Sequence, residues 1–99
     1  MDPAWHGILV QLPLPKHIDE EAVFLAILTQ KEMWGFHILN MGRLFDGHPV
    51  MIPSTPAGIM EMFFMYGIEL EGVKMRLSSR SNIVGKPMAQ LLLAKNATV

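Results

Sequence analysis

RSNIVGKPMAQLLL, residues 80–93, joins two kinds of local structure. Residues 78–85 form a polar turn. Pro87, whose fixed φ suits a first helical turn, then opens a helix over MAQLLLAK that ends at Asn96. Upstream, residues 73–77 (VKMRL) alternate apolar and charged side chains, the period of a strand. Downstream, Ala97, Thr98 and Val99 read as the first residues of another strand. A strand, a helix and a second strand in that order predict α/β architecture with parallel strands.

Working outward, Thr55-Pro56 reads as a helix start: a hydroxyl cap followed by proline at the first helical position. That helix runs through IMEMFFMY, and Gly67 suits the left-handed residue that ends it. It is apolar nearly all round and so expects partners on several sides. Residues 29–53 show little periodicity and are punctuated by Gly35, Gly42, Gly47, Pro49 and Pro53, which reads as a long functional or connecting loop. Asp19 can cap a helix over residues 20–28, with Glu20 and Glu21 in its positive first turn and Ala22, Val23, Ala26 and Ile27 on one face. Before it, residues 7–12 (GILVQL) are an apolar run ended by Pro13 and Pro15, which predicts a strand of a parallel sheet buried on both faces. The whole order is β-α-loop-α-β-α-β. It begins just before one strand and ends inside another, which points to a piece of a larger fold.

Composition removes several classes of function. Half of the 99 residues are hydrophobic and 17% are charged, which excludes a disordered chain. The net charge of −1 argues against nucleic acid as the main partner. The chain has no cysteine, so neither a disulfide framework nor a thiolate zinc site is available. His6, His17, His37 and His48 lack metal-like spacing, and no metal is expected. MDPAWHG lacks the basic and apolar regions of a signal peptide. The most apolar stretch, residues 59–68, contains Glu61 and is too short to span a bilayer. The expectation is a soluble, cytoplasmic protein without nucleic-acid or membrane partners. The nine methionines read as flexible core filling.

Four stretches carry a family resemblance. GILVQLPLP at residues 7–15 and RSNIVGKP at residues 80–87 closely resemble the bifunctional methylenetetrahydrofolate dehydrogenase/cyclohydrolase family. KEMWGFHILNMGRL at residues 31–44 is similar to that family's KDVDGFH followed by N-x-G-R-L, agreeing at Lys31, Gly35, Phe36, His37, Asn40, Gly42, Arg43 and Leu44. IPSTPAGIMEMF at residues 52–63 resembles the long helix linking its catalytic and nucleotide domains. The resemblance implies a parallel-sheet piece of the folate-binding catalytic domain over residues 1–54. The linking helix and the start of a Rossmann-like NADP-binding domain would follow over residues 55–99, with both domains incomplete.

The resemblance also implies an activity. Family members are homodimers that oxidise 5,10-methylenetetrahydrofolate with NADP and hydrolyse the methenyl product to 10-formyltetrahydrofolate. On this reading Gln11 sits beside the catalytic lysine, and Gln11, Pro13, Pro56 and Gly58 border the tetrahydrofolate derivative. Arg80 pairs with the 2′-phosphate that distinguishes NADP from NAD, with Ser81, Ile83 and Gly85 around the cofactor. The glycine-rich turn would offer backbone amides and a helix N-terminus to phosphate. Read from residues alone, a lone glutamine in a buried strand such as Gln11 is more often a structural hydrogen-bonder, and helix capping accounts for Thr55 and Pro56.

The chain departs from the family at three places. Trp34 stands where the family has an aspartate that accepts hydrogen bonds from the pterin; indole only donates, so a loss of about 1.5–3 kcal/mol in folate binding is expected. Arg76 would need a partner if its strand is buried, and Ser79 replaces a glycine and would be strained at positive φ, both of which count against NADP. The family's Tyr-x-x-x-Lys motif does not occur: the one tyrosine, Tyr66, is followed four residues on by Leu70. Loss of that lysine predicts roughly a 10²–10⁴-fold loss of acid–base catalysis. Two other readings therefore stand beside the enzyme: an inactive fragment or degenerate copy, and an interaction module that pairs with a full-length homologue.

Overall fold

The computed structural model describes residues 2–27, 31, 35 and 37–99. Its helices among these are α1 (Glu20–Ala26), α2 (Ile38–Asp46), α3 (Ser54–Met65) and α4 (Gly85–Ala94).

α4 is the hub, packed against both α2 and α3. Its inward face carries Met88 and Leu92, which meet Leu70 and Ala97 in the buried core. Ile59, Met60 and Phe63 of α3 close that core on one side, and Met75 and Leu77 close it on another. Full burial of a leucine such as Leu92 contributes roughly 1.5–3 kcal/mol. The helix ends where Asn96 takes φ 60, as the sequence suggests. The amide of Ala97 then returns to the Leu92 carbonyl at 3.2 Å and turns the chain back toward residues 73–75. There Met75 donates to the Thr98 carbonyl (2.7 Å) and Thr98 to the Val73 carbonyl (2.9 Å). The resulting Lys74–Thr98 bridge is parallel, in the sense expected of a β-α-β unit. Pairing among the described residues stops at isolated bridges and builds no wider sheet.

Along residues 73–77 the alternation resolves into two sides. Met75 and Leu77 are half-buried, while Lys74 and Arg76 are exposed. Arg76 therefore incurs no burial penalty, contrary to the expectation from its strand. Ser79 is not at positive φ either; Asn96 is the non-glycine residue that is. Residues 7–12 also show alternation in place of burial on both faces. Ile8, Val10 and Leu12 are half-buried, Leu9 is 56% exposed and Gln11 is exposed.

Capping explains most helix boundaries. Asp19 accepts the Ala22 amide at 3.2 Å to start α1, and Glu20 accepts the Leu14 amide at 3.3 Å, tying α1 to the end of the preceding extended segment. Phe24 and Ile27 are the residues buried there, while Ala22 and Ala26 stay exposed. α3 starts at Ser54 with Pro53 at the cap position and no side-chain cap, so Pro56 is third in the helix and Thr55 does not cap it. Gly67, at φ 65, ends α3 as expected. α4 starts at Gly85, two residues before Pro87.

α2 lies inside the stretch read as a long loop. His37 caps it by accepting the Leu39 amide on Nδ1 at 3.2 Å, and Gly47, at φ 85, ends it. Its buried residues are Asn40 and Leu44, one turn apart. Ile38, Met41, Leu44 and Phe45 fall at helical spacing, but Gly42, Gly47 and Pro49 break up the stretch and read as loop punctuation. Gly35 anchors the chain before α2: it has φ 76, and a Cβ there would lie 2.9 Å from Pro53.

Because Leu92 is central to the one core that ties α3, α4 and both paired segments together, Leu92→Ala should destabilise the chain by about 2–5 kcal/mol. Urea unfolding followed by circular dichroism measures this.

Candidate functional site

Ser81 organises the turn before α4. Its Oγ accepts the amides of Val84 (3.1 Å) and Gly85 (3.2 Å), and its carbonyl accepts the amide of Lys86 (2.9 Å). Pro87 has no amide to offer, and Met88 donates to the Val84 carbonyl. The first-turn amides of α4 are thus satisfied within the turn itself. This alters the sequence-based picture, in which those amides face a phosphate. The partial positive charge of the helix end remains, but anion recognition here falls to side chains.

Gly85 is required by a close approach. A Cβ at this position would lie 2.6 Å from the carbonyl carbon and Oγ of Ser79 and 2.7 Å from its carbonyl oxygen. The turn therefore folds tightly over the start of α4, which holds Arg80 at the mouth of a cleft of about 480 Å³. Arg76, Arg80 and Lys86 line this cleft, together with Met75, Leu77, Ser79, Gly85, Ala89 and Val99, and no Asp or Glu side chain does. The chain carries a net charge of −1, yet three of its eight lysines and arginines share this cleft. Such a wall favours an anion.

A second groove, of about 530 Å³, runs between α1 and α2. Leu12, Phe24, Ile38 and Met41 form its apolar walls, Glu20 and Glu21 its acidic rim, and Ile83 reaches in from the turn before α4. The structure thus divides the predicted cofactor residues. Arg80 and Gly85 line the cationic cleft, Ser81 holds the turn behind it, and Ile83, 41% exposed, faces the other groove.

The predicted folate residues are not gathered in one place either. Gln11 is exposed and donates from Nε2 to the Leu12 carbonyl at 3.3 Å. Pro13 is exposed beside the groove-lining Leu12, and the Leu12–Pro13 peptide is cis. Pro56 is fully buried, and Gly58 faces open space. Trp34 lies outside the described residues. The sequence reading missed Arg76 as a residue of the cationic cleft. The signal was available, because period-2 alternation puts residues 76 and 80 on one side of an extended chain. Among the described residues, no group of three His, Asp or Glu is placed to hold a metal ion.

Comparison with known proteins gives the family. Residues 1–33 match the tetrahydrofolate dehydrogenase/cyclohydrolase catalytic domain, and residues 53–99 match the NAD(P)-binding domain of the same family. The protein called bifunctional protein FolD in Streptococcus pneumoniae serotype 2 is 80% identical over 98 residues, 99% of this chain and 34% of that protein. The FolD of Streptococcus sanguinis is 74% identical over the same shares. Among solved structures, a methylenetetrahydrofolate dehydrogenase from the silkworm, Bombyx mori, superposes with a TM-score of 0.92 at 38% identity, covering 98% of this chain and 37% of that one. The Campylobacter jejuni FolD superposes at 0.87 with 44% identity, over 98% and 35%. A Trypanosoma brucei FolD, solved with NADP cofactor and an inhibitor, superposes at 0.88 with 36% identity, over 94% and 32%. The chain belongs to the tetrahydrofolate dehydrogenase/cyclohydrolase family, and it spans about a third of the length of these relatives.

Gly85→Ala forces its Cβ into the Ser79 backbone, so it should cost about 1–3 kcal/mol by displacing the turn. A lowered midpoint in urea, with an unchanged α-helical spectrum at zero denaturant, is the expected result.

Proposed function

We propose that this chain supplies the NADP phosphate cleft, and one wall of the folate cleft, of a methylenetetrahydrofolate dehydrogenase/cyclohydrolase. The observation that carries this reading is the cationic cleft at the start of α4, which falls within the segment matching the NAD(P)-binding domain. Its chemistry fits the cofactor: three cations in a wall that holds no Asp or Glu side chain suit phosphate esters. Bound there, NADP supplies the hydride acceptor for oxidation of 5,10-methylenetetrahydrofolate. Arg80 holds the 2′-phosphate, Ser81 and Gly85 keep the turn in place behind it, and Ile83 borders the neighbouring groove.

On the same reading, residues 1–54 belong to the catalytic domain and residues 55–99 to the linking helix and the opening of the nucleotide domain. The Lys74–Thr98 bridge supports a parallel sheet that begins here. Gln11, Pro13, Pro56 and Gly58 stand on the folate side, with Gln11 positioning the substrate or a water through its amide. The working protein is a cytoplasmic homodimer of one-carbon metabolism that also hydrolyses the methenyl product to 10-formyltetrahydrofolate. The proton-transferring lysine of the family is not among these 99 residues.

Isothermal titration of NADP⁺ into the 99-residue chain tests this. Measurable binding that Arg80→Gln weakens about tenfold supports it, since a charge-assisted hydrogen bond is worth about 1.5–3 kcal/mol. The reading fails if the folded chain binds no NADP⁺. NADPH formation on addition of methylenetetrahydrofolate would overturn the assignment of the missing lysine.

A further inference from the structure

We propose that Arg76 is a second phosphate-reading cation of the cleft beside α4 and that it sharpens the choice of NADP over NAD. This rests on the nucleotide reading above and goes beyond it, because Arg76 lies outside the turn motif and departs from the apolar strand of the family.

Three observations converge. First, Arg76 and Arg80 line the same cleft, with Lys86 as its third cation and no Asp or Glu side chain in its wall. Two further clefts among the described residues have glutamates in their walls: Glu20 and Glu21 in one, Glu61, Glu69 and Glu71 in the other. Second, the period of the extended chain assigns Arg76 to the solvent side. Met75 and Leu77 are half-buried against the core and reach the floor of the cleft, while Lys74, Arg76 and Arg80 are exposed. Third, Ser81 takes up the Val84, Gly85 and Lys86 amides, so these donors at the start of α4 are turned inward. The exposed guanidinium and ammonium groups of the cleft then carry charge recognition. A planar guanidinium pairs with a phosphate through two parallel hydrogen bonds, and the phosphate that separates NADP from NAD is the dianionic monoester on the ribose.

The test compares NADP⁺ and NAD⁺ binding by titration calorimetry at low ionic strength for the 99-residue chain, Arg76→Gln and Arg76→Lys. Circular dichroism confirms that each variant is folded, as an exposed position should permit. Arg76→Gln is expected to weaken NADP⁺ about tenfold, while NAD⁺ changes by no more than about twofold. Arg76→Lys should recover part of the NADP⁺ affinity, because it keeps the charge and loses the fork. Equal weakening of both nucleotides, or of neither, with wild-type NADP⁺ binding intact, overturns the role of Arg76 and leaves the cleft assignment standing. If the wild-type chain binds neither nucleotide, both fall.

Discussion

Everything this chain places near α4 depends on how that helix is buried. Met88 and Leu92 lie at 3% and 2% exposure against Leu70 and Ala97, with Met75 and Leu77 pressed on from the extended segment before the turn. This contact sets which side of residues 73–77 is inward, and so which side the charged residues must take. It also brings the chain after α4 back beside the chain before it, where the Lys74–Thr98 bridge closes the β-α-β unit. The cationic cleft is a consequence: pack Met75 and Leu77 inward, and Arg76 and Arg80 share the outer side with the start of α4.

That core covers only part of the apolar surface. The radius of gyration, 14.9 Å, exceeds the roughly 13 Å of a compact domain of this length. Phe64, Met65 and Tyr66 at the end of α3 are each at least 75% exposed, as is Phe45 in α2. The all-round apolar character of α3 predicts neighbours on several sides, and α4 supplies one of them. The uncovered faces are consistent with a chain that spans 34% of its streptococcal relative.

Local chemistry made much of this legible in advance. Asp19 before a pair of glutamates, Gly67 after α3 and Asn96 after α4 each do what their side chains or φ preferences dictate. What escaped had two causes. α2 carries apolar residues at helical spacing, Ile38, Met41, Leu44 and Phe45, but its glycine, its histidine cap and the prolines after it read as loop, so a local signal was passed over. Elsewhere the signal is tertiary. Residues 7–12 are apolar in sequence apart from Gln11, yet alternate in burial, because only Ile8, Val10 and Leu12 find cover. The candidate site followed the same rule. Arg80 and Gly85 were found from a linear motif and share a cleft, whereas Arg76 enters it through strand geometry and Ile83 leaves it for the adjoining groove.

Ser81 shows why a motif and its mechanism must be separated. The turn matches a phosphate loop in sequence, and its usual mechanism is donation by free amides at a helix start. Here the serine hydroxyl and carbonyl take those amides, at 2.9 to 3.2 Å. The serine therefore makes the turn rigid at the expense of its backbone donors. A rigid turn with satisfied amides can still present Arg80 at a fixed place, and fixed placement is what a side-chain fork needs to discriminate one phosphate ester from a hydroxyl.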